Sequence, residues 1–413
     1  MIFLPTSRTL FAPASTLLVL LLMLPTFSRA QEFAWERTYS PIPEGAFGND
    51  ANALVPTDDG GALLVCSVRP GPTTLDYRLT TIRINADGDS LWMRSAGTPR
   101  NIMVVDAFRR GGGAIVFGGA TGLQQDTGTD LDIYVAAIDS AGGLLWEKGY
   151  GDPWDEYVTA VRPTLDGGFL ILGMVARYTF AEYAMVMKVG ADGELQWRRE
   201  FPTIKPAYAG LPLEEGGYAL IGSTGRGSTQ KSDLFMLRLD AAGDSLWYRT
   251  IPTDPKEYGI SMLRIGSAYV IVGMTSERTA LLNPLVVHTD LEFRPLFRYV
   301  VGDTADQKRI NDLKPIPGGY LAAGIAENLA GFSKPYFVRL DALGAVVDER
   351  RIEPADSLPR RPLRLVTFGD GSALASGASG AYLYSQPWAA RIDIAVTAVD
   401  ELYHPEILEI DLR

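Results

Sequence analysis

Leu239-Asp240-Ala241-Ala242-Gly243-Asp244-Ser245-Leu246-Trp247 reads as the end of one strand, a tight turn and the start of the next. An Asp or Asn side chain opening such a turn can bond the backbone two residues on, and Gly at the fourth position supplies a positive φ. The same eight-residue frame returns at Asn85 to Trp92, Asp139 to Trp146 and Gly190 to Trp197, with degenerate copies at Asp290 to Phe297 and Asp341 to Asp348. The Trp position falls at residues 92, 146, 197, 247, 297 and 348, a period near 50.

A second element precedes each turn: a Gly pair, an apolar run and a small residue. Its copies are Gly60 to Cys66, Gly112 to Gly118, Gly167 to Gly173, Gly216 to Gly222, Ser267 to Gly273, Gly318 to Gly324 and Gly371 to Gly377. Runs such as Phe169-Leu170-Ile171-Leu172 are apolar at every position, which predicts strands buried on both faces. A strand before each Gly pair (Tyr157 to Val161) and one before each Asp-x-x-Gly turn (Leu234 to Leu239) bring the count to four per repeat. Four short strands in about 50 residues are the signature of a propeller blade. The chain therefore predicts an all-β, seven-bladed β-propeller with four antiparallel strands per blade. Seven Gly-pair strands stand against six internal turn-plus-Trp units, and the missing outer strand is at the other end. Trp35-Glu36-Arg37-Thr38-Tyr39-Ser40 matches Trp247-Tyr248-Arg249-Thr250-Ile251, so the N-terminal strand is expected to close the last blade beside Trp388 to Asp393.

These repeats, Asp166-Gly167-Gly168-Phe169 and Asp139 to Trp146 among them, resemble those of a group of secreted bacterial propeller proteins. The resemblance covers about residues 35 to 394 and implies fold, not activity. Members of that group often carry a C-terminal sorting domain for type IX secretion. The tail over 395–413, with Glu406-Ile407-Leu408-Glu409-Ile410, looks like the linker entering such a domain. The Asp-x-x-Gly turn also resembles the sialidase aspartate box, which is itself structural. No sialidase-like arginine cluster or Tyr–Glu nucleophile pair accompanies it here.

Residues 1–30 read as a secretory signal peptide. Arg8 precedes an apolar run from Ser15 to Leu24, and small residues sit at Ser28 and Ala30, predicting cleavage after Ala30. The run is too short to span hydrocarbon, for which about 20 apolar residues are needed, so no membrane span is expected once the leader is gone. The expected products are a leader (1–30), a propeller (31–394) and a tail (395–413), secreted to periplasm, cell surface or medium. The chain has 413 residues and a formal charge of −11. The leader holds two of its 38 basic residues, Arg8 and Arg29, and no acidic one, which leaves the remainder at −13. Such a balance argues against nucleic acid as a partner. The single cysteine, Cys66, permits no intrachain disulfide, and its place at the small-residue position predicts a buried, inert thiol. Two histidines, His288 and His404, leave little room for zinc or Ser-His-Asp chemistry.

No catalytic constellation emerges, and no cofactor is expected. A calcium ion at Asp126 to Asp132 is considered, although that loop lacks the distal Glu of an EF-hand. The in-phase tryptophans predict packing between blades, whereas Trp154 is out of phase. Strand order puts the stereotyped Gly-pair and Asp-x-x-Gly turns on one face, and the long, varied loops with the blade-to-blade connections on the other. Binding residues tend to occupy such variable loops. Candidate ligand-binding residues are therefore Asp152, Trp154, Asp155 and Glu156 on one connection and Asp303, Asp306 and Lys308 on another. The expected role is a monomeric binding or interaction module for a glycan, a peptide or an envelope protein. The alternatives are a carboxylate-based hydrolase or lyase with its site on the long-loop face, and a structural surface-protein fragment.

Overall fold

Seven four-stranded antiparallel sheets are arranged as a ring, each ordered first to fourth strand from the centre outward. The computed structural model describes residues 33–40, 47–69, 77–95, 101–113, 115–122, 131–177, 181–225, 232–253, 256–277, 282–301, 306–328, 330–354, 356–381 and 385–394, all within the compact unit Glu32–Arg413. The leader and the tail expected at the two ends lie outside the described residues. The inner strands of blades 1 to 7 are Phe47–Pro56, Asn101–Arg109, Asp155–Pro163, Ala207–Pro212, Glu257–Ile265, Gln307–Ile316 and Arg360–Thr367. Among the described residues the only helical turn is the 3-10 turn Gly111–Gly113.

The turn chemistry read from the sequence is present. Asp139 Oδ1 accepts from the amides of Ala141 (2.9 Å) and Gly143 (2.7 Å), and Asn85, Asp290 and Asp341 repeat the pattern. Gly142 has φ 80° and Gly243 φ 83°. In blade 5 that position is Phe293, with φ 65°. Phe293 is buried in the same cluster that Trp247 packs against.

Each of seven apolar clusters joins the facing sheets of two neighbouring blades, so the core is the set of inter-blade interfaces. Trp35, Trp92, Trp146, Trp197 and Trp247 each pack against one of them. Trp197 lies over Gly243 of the next blade, where a Cβ would come within 2.8 Å of the ring. Cys66 is fully buried and burial pushes its thiol pKa up, as expected of an inert core thiol.

Ring closure uses the N-terminal strand. Trp35–Thr38 pairs antiparallel with Gln386–Asp393, with Trp35 opposite Arg391 and Thr38 opposite Trp388. Side chains lock the seam: Trp388 Nε1 donates to Glu36 Oε1 (2.9 Å), which also accepts from Arg360 Nε (2.6 Å). The third-strand aromatic and the residue after the repeat Trp form the same kind of pair elsewhere, as Tyr134–Glu147 (2.5 Å) and Tyr336–Glu349 (2.6 Å).

All seven inner strands carry a β-bulge at one position, and the bulged residues are Asn52, Val105, Thr159, Tyr208, Ile260, Asn311 and Leu363. A bulge bends the strand and re-aims the side chains that follow it. Three bulged side chains reach the next blade: Asn52 to the Val104 carbonyl (2.8 Å), Thr159 to Ala207 (2.6 Å) and Asn311 to Pro362 (2.7 Å). The bulge also explains the small residue on the second strand, since a Cβ at Gly324 would lie 1.8 Å from the Arg309 carbonyl oxygen. In blade 2 the residue under this constraint is Gly119, 2.1 Å from the Met103 oxygen, and not Gly118. The sequence alignment through Gly112 is one residue out of phase in that blade.

Candidate functional site

The inner strands converge on the ring axis, and their C-terminal halves enclose a cavity of about 570 Å³. Pro56, Arg109, Pro163 and Thr367, each the last residue of its strand, line it, so it lies toward the short Gly-pair turns. Its volume falls within the ordinary range for ligand pockets.

Six charged side chains line it; Arg109, at the end of its strand, pairs outward with Asp58, and the other five gather inside. Asp106 and Asp312 follow the bulges of blades 2 and 6, Arg364 follows that of blade 7, and Arg162 and Lys314 stand three residues past theirs. Asp106 pairs with Arg162 of the next blade, and its Oδ2 accepts from the Val161 amide (3.1 Å). Asp312 repeats this in blade 6, accepting from the Leu365 amide (2.9 Å) and from Lys314 Nζ (2.7 Å). Arg364 reaches past blade 1 to donate from Nη2 to the Val105 carbonyl of blade 2 (2.6 Å), with Nε 3.9 Å from Asp106 Oδ1. Burial pushes the Asp106 carboxyl up, but Arg162, Arg364 and the Val161 amide outweigh it and hold the group below the usual carboxylate range. Leu54, Tyr208, Ile260 and Met262, from blades 1, 4 and 5, make the remaining wall largely apolar.

None of the seven residues singled out from the sequence lines this cavity. Asp303 lies outside the described residues. Asp152, Glu156 and Glu200 share Arg177 and Arg198: Arg198 Nη2 is 3.1 Å from Asp152, 2.9 Å from Glu156 and 2.8 Å from Glu200. The Arg177 guanidinium lies 5.9 Å from the Trp154 ring centroid and 5.8 Å from that of Tyr183. Asp155 accepts from the Leu131 amide (3.0 Å), Asp306 pairs with Arg351 (2.5 Å), and Lys308 is buried with its Nζ 5.9 Å from the Tyr336 ring. The structure thus places Asp152, Trp154 and Glu156 in one cluster and does not join them to Asp306 or Lys308.

This cluster has a scaffold counterpart in other blades. Glu257 with Arg298 in blade 5, and Arg360 with Glu36 in blade 7, occupy the same repeat positions, the latter with the charges exchanged. A pair that tolerates charge reversal holds strands together; it does not define a reaction. Three carboxylates on two guanidiniums leave one negative charge in surplus. Glu156 is 0% exposed, and burial, against the pull of Arg198, raises its pKa from 4.5 to about 7. Between those values the folded chain holds a proton that the unfolded chain has lost, so stability falls as pH rises through the window. Glu156→Gln should match the parent near pH 4 and exceed it by about 3 kcal/mol at pH 8, measured by urea denaturation. Equal midpoints at both pH values would refute the assignment.

The loop Asp126 to Asp132 is described only from residue 131. Among the described residues no group of three or more His, Cys, Asp and Glu side chains could hold a metal ion. Among them too, no helix is long and apolar enough to cross a membrane.

No protein-family model matches the chain, and no curated protein matches it in sequence. Solved structures do. A protein of unknown function from Dyadobacter fermentans is 11% identical over 88% of this chain and 98% of its own, with a TM-score of 0.51. BBS1N, solved in complex with ARL6DN, is 9% identical over 89% of this chain and 98% of its own, with a TM-score of 0.50. A puromycin hydrolase is 15% identical over 83% of this chain, which spans 51% of the hydrolase, with a TM-score of 0.49. The likeness is one of fold alone. It carries no activity across.

Proposed function

We propose that the chain is an exported binding module that takes a group of its partner into the central cavity from the short-turn face. The observation that carries this reading is the cavity itself, in which ionic pairs built on buried carboxylates are set in a largely apolar wall. Convergent polar groups in an apolar concavity are the ordinary form of a binding site. The leader at residues 1–30 supports export. Of the partner classes considered, a peptide or the envelope protein that bears it fits such a wall better than a glycan. The cavity's wall is built mainly from aliphatic residues such as Leu54, Ile260 and Met262, with Phe108 and Tyr208 as the aromatic members. A hydrolase or lyase reading draws no support from the described residues of the long-loop face, where Glu156 is buried and Asp152 is held by Arg198.

Peptide and glycan arrays probed with the parent, with Ile260→Trp and with the double substitution Trp154→Ala, Asp155→Ala test the reading. Ile260 is a bulged residue lining the cavity, so an indole there obstructs its apolar side. Binding should be lost with Ile260→Trp and kept by the double variant. Binding that survives Ile260→Trp and vanishes with the double variant would move the site to the long-loop face.

A further inference from the structure

The charges around the cavity do not cancel. With Arg109 neutralised by Asp58, Arg162, Lys314 and Arg364 face Asp106 and Asp312, which leaves one positive charge inside a chain whose formal charge is −11. Their donors are unequally engaged. Arg364 directs Nη1 to the Leu363 carbonyl and Nη2 to that of Val105. Arg162 commits only Nη1, to Asp106 and to the Val161 carbonyl (2.9 Å), and its side chain is 31% exposed. Its Nε and Nη2 make no hydrogen bond to any described residue. Those two N–H groups form the edge of a guanidinium that meets the two oxygens of a carboxylate side by side. Among the described residues Lys314 has a single hydrogen bond, to Asp312, and it is 33% exposed.

The charge is also unevenly placed, on two flanks either side of blade 1 and away from blades 4 and 5. Blades 2, 3, 6 and 7 supply all six ionic groups of the lining, while blades 4 and 5 supply Tyr208, Ile260, Met262 and Leu263. A ligand that satisfies both halves carries a single negative charge at one end and an apolar body at the other. Resting on the cavity reading above, we infer that the site takes a carboxylate borne on an apolar body, with the carboxylate on the Nε–Nη2 edge of Arg162 and near Lys314 Nζ. The body lies against Tyr208, Ile260 and Met262. The carboxylate belongs either to a free amphiphilic acid or to the C-terminus of a peptide ending in apolar residues.

Isothermal titration calorimetry with decanoate, its neutral isostere decanamide, and N-acetyl-Leu-Phe as free acid and as amide tests this. A free acid should bind about tenfold or more tightly than its amide, the range expected for a charge-assisted pair. Arg162→Met should remove that preference without weakening the amide. Lys314→Gln, on a more exposed side chain with one partner, should reduce it even if Arg162→Met fails to fold. Preference for decanoate alone identifies a free acid as the ligand, and preference for the dipeptide acid alone identifies a peptide terminus. Acid and amide binding equally, both abolished by Ile260→Trp, would overturn the carboxylate assignment while leaving the cavity as the site. Binding unaffected by Ile260→Trp would overturn both. Failure of all four probes would overturn this inference and leave the cavity reading to the array result.

Discussion

Trp388→Ala should lower the stability of the propeller by about 3–5 kcal/mol, read as a shift of the urea midpoint. Trp388 is 0% exposed and packs in the cluster between blades 6 and 7 with Leu321, Phe337 and Ile352, its ring 5.9 Å from that of Phe33. Removing it empties an interior site that the rigid sheets on either side cannot collapse to fill. It also takes the indole donor from Glu36, the residue through which the N-terminal strand holds Arg360. Trp388→Phe separates the two effects. It keeps most of the volume, loses the N–H, and should cost about 1–2 kcal/mol. An unchanged midpoint for the alanine variant would mean that the seam does not depend on this side chain.

Asp106→Ala should cost about 3–5 kcal/mol at pH 7, because it leaves Arg162 without the carboxylate that compensates it. The Val161 amide of the next blade loses its acceptor as well. Asp106→Asn retains an oxygen for that amide and isolates the charge. The pH dependence has a definite sign. The folded carboxyl is held below its ordinary range, so its contribution is present at neutral pH and is lost as the pH falls through the folded pKa. The gap between parent and variant should therefore shrink in acid. A gap that is constant with pH would show that Asp106 acts through its hydrogen bonds and not through its charge.

The architecture was legible because it rests on local chemistry repeated many times. Asp or Asn at the start of most outer turns, Gly at most positive-φ positions, and apolar runs between them each imply one conformation, and their 50-residue period counts the blades. Trp35 without a preceding turn implied closure, and Trp35–Thr38 does pair with Gln386–Asp393. The long-loop residues were legible as charged and aromatic, but their engagement was not. Glu156 and Asp152 meet Arg198 across the sheet, over a sequence separation of more than 40 residues.

The cavity was not legible, and the reason is geometric. Asp106, Asp312 and Arg364 follow the bulge at positions where blades 1, 3 and 4 have Ala53, Ala160 and Ala209, a contrast that aligned inner strands would expose. That alignment needs single-residue accuracy, because side chains alternate faces and a slip of one reverses inside and outside. Two features break it. The third glycine in Gly111–Gly113 shifts the apparent phase of blade 2. The turns after the inner strands of blades 5 and 6 are tighter: Ile265 pairs with Ala268 and Ile316 with Gly319, whereas Pro56 pairs with Ala62 in blade 1. Local sequence determined the blades, their number and their closure, since each depends on residues near one another in the chain. Which charges meet on the axis depends on seven bulges and seven turn lengths acting together, and only the closed ring brings those residues to one place.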